Sequence, residues 1–235
     1  MNAPARPSPA RRCALLAAVA APVVLAAVPA ALSAAPAIAT DAICLRPSQK
    51  PNGDAVSPPL TIVGSGFTPG QVVPIQRGAR TFYTVAEDTG VFTALVSVLD
   101  RLQLTPPKSS PLDIVATDPL LGPSNALRVR TAPLEFAATP KRTRPSNNVT
   151  FRFSGFEPDR AIYAHYRFRG RVRANVRMGR ASNPCGLLTA RRDQIPVSDP
   201  EIGLWRIQFD HRVTFSPRAT PRIGATVNVF PTFGD

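Results

Sequence analysis

A six-residue turn occurs twice in this chain, and its spacing constrains the fold more than any other sequence feature. Ser65-Gly66-Phe67-Thr68-Pro69-Gly70 is followed 89 positions later by Ser154-Gly155-Phe156-Glu157-Pro158-Asp159. At the same offset, Leu60-Thr61-Ile62 falls on Val149-Thr150-Phe151 without a gap. Because this offset is about the size of one small β-domain, the repeat predicts two related modules in tandem.

The first 39 residues have the features of a secretory signal peptide. Three arginines precede an apolar stretch from about residue 13 to residue 32, and Ala37-Ile38-Ala39 supplies small residues for cleavage. An uncleaved anchor is the alternative, but Pro22 and Pro29 weaken it as a spanning helix. We therefore predict a signal peptide over 1–39 cleaved after Ala39, and a mature protein that is secreted or associated with the cell envelope and has no membrane span.

The mature chain is predicted to divide into a first module, 40–131, and a second module, 132–235. Short alternating runs separated by turn residues recur at the spacing of a β-sandwich. After the Asp88-Thr89-Gly90 turn, for example, Phe92, Ala94 and Val96 share one parity and are predicted to face a core. No stretch has a convincing apolar period of about 3.6 residues, so the predicted fold class is all-β.

The second module is predicted to carry an insertion around 168–192. Gly90-Val91-Phe92 has its counterpart in Gly203-Leu204-Trp205, where the offset has grown from 89 to 113. We therefore predict that 24 residues have been added between the repeated turn and this glycine. The residues Trp205, Ile207 and Phe209 then share one parity, so the single tryptophan is predicted to fill the core rather than to bind a ligand.

The turn residues resemble those of a known family. The two Ser-Gly-Phe-x-Pro turns, the Asp-x-Gly-x-Phe turn at Asp88 to Phe92, and Asp118 with Ser124-Asn125 before the last strand look like bacterial immunoglobulin-like repeats. Such repeats occur in secreted and envelope proteins of high-G+C bacteria. The resemblance implies two tandem immunoglobulin-like β-sandwich domains. It covers the first module and the flanks of the second, and because these are turn and core residues it implies no active site.

Residues 160–180 alternate with unusual regularity. Folded as a hairpin with its turn at Gly170, they would place seven binding candidates on one outward surface: Tyr163, His165, Arg167, Arg169, Arg171, Arg173 and Arg177. The opposite parity is predicted to face the core: Ile162, Ala164, Tyr166, Phe168, Val172, Ala174, Val176 and Met178.

Positive charge is concentrated in the second module. Lys and Arg outnumber Asp and Glu by 8 to 7 over 40–131 and by 17 to 8 over 132–235. An arginine face can bind phosphate or carboxylate groups through paired N–H donors. The alternative is a solvated strand face that deters edge-to-edge association, with its arginines reflecting a G+C-rich genome. If the face binds, an anionic envelope polymer or lipid head groups are favoured over nucleic acid.

Cys44 and Cys185 suit one disulfide in an oxidising compartment, because Cys13 would leave with the signal peptide. In an end-to-end tandem, however, the start of the first module lies far from the second module. The disulfide therefore requires modules that fold side by side, or a second chain.

No catalytic or metal-binding motif occurs in the sequence, so we predict no enzyme, no cofactor and no metal. Asp210 and His211 are neighbours on a predicted strand and point to opposite faces. Asp88, Asp199 and Glu201 sit beside turn glycines, where turn hydrogen bonds are the favoured explanation over calcium.

The predicted function is that of a secreted, non-catalytic binding or structural protein whose second module contacts an anionic envelope component. The first alternative is an adhesive or scaffold protein that docks another envelope protein through a sandwich edge. The second is a hydrolase that uses His165 or His211 in an unrecognised site.

Overall fold

The computed structural model describes residues 35–56, 58–97, 108–141 and 143–230. Every secondary-structure element assigned within these ranges is a β-strand. Residues 1–34, which hold most of the predicted signal peptide, lie outside the described residues. The described residues belong to one compact unit.

The first half of the chain builds a sandwich of two sheets. One sheet has the order β1-β5-β8, and the other has the order β2-β11-β9-β6-β7. The side chains between the two sheets form one apolar core that includes Leu60, Phe67, Ile75 and Ile114. The strands in this half are β1 (Ala37–Ala39), β2 (Cys44–Leu45), β3 (Ser48–Gln49), β4 (Ala55–Val56), β5 (Leu60–Ser65), β6 (Val72–Arg77), β7 (Arg80–Val85), β8 (Phe92–Val96), β9 (Ser110–Asp118), β10 (Gly122–Pro123) and β11 (Leu127–Thr131).

The second half builds another sandwich around a separate core. Its sheets have the orders β12-β13-β16 and β15-β14-β17-β18. The core is rich in aromatic rings, and Trp205 and Phe209 are buried in it as the strand alternation predicts. The strands in this half are β12 (Glu135–Thr139), β13 (Asn148–Ser154), β14 (Ala161–Phe168), β15 (Arg171–Arg180), β16 (Leu188–Asp193), β17 (Gly203–Asp210) and β18 (Arg222–Val229).

The strand pairing confirms an all-β fold of the immunoglobulin-like type. In the first half, the chain crosses between the two sheets from β5 to β6, from β7 to β8 and from β8 to β9. β2 pairs in parallel with β11, whereas β9 pairs antiparallel with both β11 and β6. The second half has the same plan, with three strands in one sheet and four in the other. This is the layered arrangement of immunoglobulin-like sandwiches. The division at residues 131 and 132 into two domains stays a prediction.

The turn residues that occur twice in the sequence connect strands across each sandwich. In the first half, the backbone N–H of Thr68 donates to Asp118 Oδ2 at 2.6 Å. In the second half, the corresponding N–H of Glu157 donates to His211 Nε2 at 3.1 Å. The first-half motif residue Asn125 exchanges two hydrogen bonds with the backbone of Ile38. The residues that carry the family resemblance therefore have structural roles.

The strand order shows which strands of the two halves are equivalent, and these equivalences differ from those predicted from the sequence. β8 pairs with β5, and its equivalent in the second half is β16, which pairs with β13. Gly203-Leu204-Trp205 instead begins β17, the equivalent of β9. Residues 168–192 are therefore not an added element, because they hold the strands equivalent to β7 and β8. Gly90 precedes β8 and Gly203 begins β17, so these two glycines are not equivalent.

The N-terminal strand bears on the predicted cleavage site. Ala37–Ala39 forms β1, pairs antiparallel with β5, and buries Ile38 in the first core. Cleavage after Ala39 would remove this strand from the sandwich and leave Val63, Gly64 and Ser65 without their partners in β1.

A disulfide joins the two halves. Cys44 and Cys185 are bonded, with their Cα atoms 5.5 Å apart. Cys44 begins β2, which pairs in parallel with the end of β11, so Cys44 lies opposite Arg130 despite its early position in the sequence. The start of the first half therefore reaches the second half, and the sequence-based expectation that Cys44 lies far from Cys185 is wrong.

Candidate binding surface

The predicted hairpin is present. β14 and β15 pair antiparallel from Ala161↔Arg180 to Phe168↔Arg171. Arg169 and Gly170 form the two-residue turn, with φ angles of 47° and 82°. Positive φ at both central residues is typical of the turn that matches the twist of paired strands, and glycine accepts this conformation readily.

Two register shifts divide the predicted face. They fall between Ile162 and Tyr163 and between Tyr166 and Arg167. Beyond the second shift, Arg171 pairs with the core residue Phe168, and Val172 pairs with Arg167. An extra residue in one strand reverses the side-chain parity beyond it. The arginines of β15 therefore do not share one face, and Val172, predicted to be in the core, is 40% exposed.

His165 is not on the exposed surface that the sequence predicts, because its side chain has no exposure. The segment after β17 covers it, and the ring of Phe215 meets the imidazole edge-on at 6.0 Å between centroids. Strand alternation places His165 on the face away from the core, but it does not reveal a later segment that folds back over that face. Tyr163, by contrast, is half-buried on the same side of the sheet.

His165 belongs to a buried polar network. Its Nδ1 lies 2.6 Å from Asn175 Oδ1, and its Nε2 lies 3.2 Å from Asp210 Oδ1. Asp210 also accepts hydrogen bonds from the backbone N–H of Arg212 and from Gln208 Nε2. Because both neighbours of the imidazole are oxygen acceptors, the doubly protonated ring satisfies both contacts.

The network shifts the pKa values of both ionisable members. Burial lowers the pKa of His165, but the hydrogen bonds to Asp210 and Asn175 outweigh burial and raise this pKa above its ordinary value. Burial raises the pKa of Asp210, but hydrogen bonds from His165, Gln208 and Arg212 leave it below its ordinary value. Each shift favours the charged form, so the contact between His165 and Asp210 stabilises the ionised state of both side chains and links β14 to β17.

The second histidine has a different role. His211 Nδ1–H donates to the carbonyl oxygen of Ala161 at 2.8 Å, and its Nε2 accepts the Glu157 N–H. Burial lowers the pKa of His211 below its ordinary value, and this effect is larger than the opposing effect of the hydrogen bond to Ala161, which raises the pKa. Asp210 and His211 form no dyad with each other, as strand alternation predicts. Both ring nitrogens of each histidine are occupied by structural contacts.

The arginines of the hairpin differ in their partners. Arg173 forms an ion pair with Glu201, and Arg160 forms one with Glu157. The guanidinium of Arg167 lies 4.3 Å from the centroid of the Phe215 ring, and that of Arg169 lies 5.1 Å from the Phe168 ring. In the described part of the chain, Arg167 and Arg169 form no ion pair with a carboxylate.

Arg167 lies directly opposite Arg206 of β17, and Arg206 lies opposite Thr226 of β18. Two shallow grooves meet at this arginine pair, with volumes of about 400 and 410 Å³. Neither groove has a carboxylate in its lining. The groove at the hairpin tip is lined by Arg167, Phe168, Arg169, Gly170, Ile202, Gly203, Leu204 and Arg206. The other is lined by Arg167, Arg206, Ile207, Gln208, Gly224, Ala225 and Thr226.

Sequence reasoning missed Arg206 as a partner of Arg167. Its signal was present, because Arg206 alternates with the buried Trp205 and Ile207 and so must face outward. What the sequence lacked was the order of the strands, since β17 follows β14 by more than 30 positions and yet pairs with it. The candidate surface is therefore the outward side of β14 and β17 together with the hairpin tip.

No three His, Cys, Asp or Glu side chains in the described ranges gather to hold a metal ion. Of the acidic turn residues, Asp199 has a positive φ of 49°, and Glu201 accepts a hydrogen bond from Trp205 Nε1 at its carbonyl oxygen. The described residues contain no helix that is long and apolar enough to cross a membrane.

Comparisons with known proteins give no family. No family model matches the chain, and no curated protein matches it. Among solved structures, the chain is similar to the human OSCAR ligand-binding domain, with 11% identity, coverage of 83% of this chain and 97% of that chain, and a TM-score of 0.32.

Two further similarities are equally distant. The D00-D0 domain of intimin has 9% identity, with 83% of this chain and 100% of that chain covered and a TM-score of 0.35. The FN1-FN3 domains of chicken CNTN1 have 10% identity, with 81% and 68% covered and a TM-score of 0.23. At these scores, the fold assignment rests on the strand order of the chain itself.

Proposed function

We propose that this protein is a secreted, non-catalytic binding protein of a high-G+C bacterium, and that its second half contacts an anionic component of the cell envelope. The observation that carries the proposal is the cluster of Arg167, Arg169 and Arg206 around one groove with no carboxylate in its lining. A guanidinium offers several N–H donors to carboxylate or phosphate oxygens.

The charge distribution supports the same proposal. The excess of basic residues over 132–235 gives this half a positive potential that attracts anions over distances of about 10 Å at moderate salt. Of the seven predicted contact residues, Tyr163, Arg167, Arg169, Arg171, Arg173 and Arg177 keep at least partial exposure. His165 contributes to the surface only by holding β14 in place.

A non-catalytic role is supported by the state of the two histidines. Each of them has both ring nitrogens in structural contacts, and His165 is completely buried. A general base needs a free nitrogen within reach of the proton that it removes. The hydrolase alternative therefore has little support.

One observation favours the second candidate function, docking of another envelope protein through a sheet edge. β7 lies at the end of its sheet, and its residues Tyr83 and Val85 are 72% and 56% exposed. An edge strand with exposed apolar side chains can accept an added strand from a partner. Binding of this kind would be insensitive to salt.

Retention on purified cell envelopes across a salt series tests the main proposal. We expect the protein without its predicted signal peptide to be retained at low salt and released as salt rises. The variant with Arg167, Arg169 and Arg206 changed to Gln should be released at lower salt. The matched control changes Arg152, Arg191 and Arg218 to Gln, which removes the same charge elsewhere in the second half.

The two variants separate a specific surface from net charge. Equal retention of both variants would contradict the proposal, because total charge alone would then set the binding. Retention that salt does not weaken would favour docking through a sheet edge instead.

A further inference from the structure

Arg167 and Arg206 form a cross-strand pair of like charges. They lie directly opposite each other on β14 and β17, where side chains on the same face are in contact range. Like charges in such a position repel, and no carboxylate lines the grooves on either side of the pair. An oxyanion between the two guanidinium groups would remove this repulsion.

Arg167 is held in place but incompletely hydrogen bonded. The Phe215 ring supports one face of its guanidinium, and Nη2 donates to the Gly170 carbonyl oxygen over a long 3.3 Å. Its Nε is buried and has no partner among the described residues. Buried donors almost always have an acceptor. An oxyanion that enters the groove can accept from the Nε–Nη2 edge once the side chain turns toward it.

Aliphatic side chains surround this basic site. Ile202 and Leu204 line the same groove as the arginines and are 59% and 52% exposed. Val172 is 40% exposed and pairs with Arg167 from the other side. Arginines beside exposed aliphatic residues are typical of surfaces that lie in the interface of an anionic membrane.

We propose that the Arg167–Arg206 groove and the adjacent hairpin tip dock on an anionic lipid surface. The arginines bind the phosphate of a head group, and Val172, Ile202 and Leu204 insert beside it among the acyl chains. This inference rests on the proposed function and specifies its partner as a phospholipid rather than a soluble polymer. A polymer would use the charges and leave the aliphatic residues in water.

Binding to vesicles tests the inference. Co-sedimentation of the protein without its predicted signal peptide should occur with vesicles of phosphatidylcholine and phosphatidylglycerol and be absent with phosphatidylcholine alone. The R167Q/R206Q variant should bind about 30-fold more weakly, since each arginine at such a surface contributes about 1 kcal/mol. The I202S/L204S variant should bind about 10-fold more weakly through lost apolar burial. R152Q/R191Q is the control, with the same charge change on the outer face of the opposite sheet.

Soluble polyphosphate and purified envelopes distinguish this inference from the proposed function. We expect R167Q/R206Q to lose binding to both polyphosphate and vesicles, and I202S/L204S to lose much more vesicle binding than polyphosphate binding. Equal vesicle binding of I202S/L204S and the unchanged protein would overturn the lipid inference. Retention on envelopes without any vesicle binding would overturn it too and leave the proposed function intact. Absence of salt-sensitive retention on envelopes would overturn the proposed function itself.

Discussion

Gly186 lies against the carbonyl oxygen of Phe156, and a Cβ at position 186 would overlap that oxygen. Gly90 holds the same relation to the carbonyl oxygen of Phe67 in the first half. Each glycine precedes the strand that pairs with the centre of its three-stranded sheet, β16 in one half and β8 in the other. Each half therefore closes its sandwich with a glycine against the phenylalanine of its repeated turn.

Replacing Gly186 with Ala should lower the free energy of unfolding by about 3 kcal/mol or more. The residue has a φ of 64°, which disfavours side chains, and the added methyl would overlap backbone atoms that cannot move alone. Gly78→Ala is the control, because Gly78 has a similar φ of 55° but no atoms within 4 Å of a Cβ. Urea unfolding compares the two variants, and equal losses would contradict the close contact at Gly186.

The two histidines should affect stability in opposite directions as pH changes. The raised pKa of His165 means that its contribution is fully present below its ordinary value of 6.5 and is lost as pH rises through the higher folded value. The lowered pKa of His211 means that its contribution is present above 6.5 and is lost as pH falls through the lower folded value.

Single substitutions separate these two contributions. In His211→Gln, stability should fall as pH rises through neutrality, because only the His165 contribution remains. In His165→Gln, stability should fall as pH drops below about 6.5, because only the His211 contribution remains. Thermal unfolding over this pH range measures both profiles. Parallel profiles for the two variants would show that the assigned contacts do not set the histidine pKa values.

Removing the disulfide should lower the free energy of unfolding by up to about 5 kcal/mol, because Cys44 and Cys185 are separated by 141 positions. Three hydrogen bonds across the same junction remain, including Arg46 Nη1 to the Phe156 carbonyl oxygen at 2.9 Å. Chemical unfolding of a C44A/C185A variant measures the loss. A non-reducing peptide map should contain the Cys44–Cys185 pair within one monomer, and a covalent dimer would contradict it.

If the proposed signal peptide is cleaved, we predict that the cleavage site lies before Ala37, because Ala37–Ala39 forms β1. A chain that starts at Thr40 lacks β1 and the buried Ile38, and its free energy of unfolding should be lower by about 2–4 kcal/mol than that of a chain starting at Ala35. N-terminal sequencing of the protein isolated from its native host tests this position directly. A mature protein that starts at Thr40 and keeps the same stability would show that β1 is dispensable.

The local patterns in the sequence predicted the strands well. Alternation at β8 buries Phe92 and Val96, as expected, and alternation at β17 buries Trp205. Each strand exposes one face to a core, and a two-residue period records this directly. The turn at Gly170 was also predictable, because a glycine between two alternating runs allows positive φ.

Contacts between residues far apart in the sequence could not be predicted as well. The register shifts near Tyr163 and Arg167 depend on how β15 fits β14, and no residue in the sequence marks them. Burial of His165 depends on Phe215, which lies 50 positions later. The repeated turn also conceals a difference, because Asp118 caps it in the first half and His211 does so in the second. That exchange leaves Asp210 available to pair with His165.

Differential arginine modification tests most directly whether the arginine cluster contacts the envelope. The protein is treated with an arginine reagent while free and while bound to envelopes, and each arginine is measured by mass spectrometry. We predict protection of Arg167, Arg169 and Arg206 on binding, with Arg152 and Arg191 modified equally in both states. Protection of Arg152 and Arg191, or equal modification of all five residues, would contradict binding through this surface.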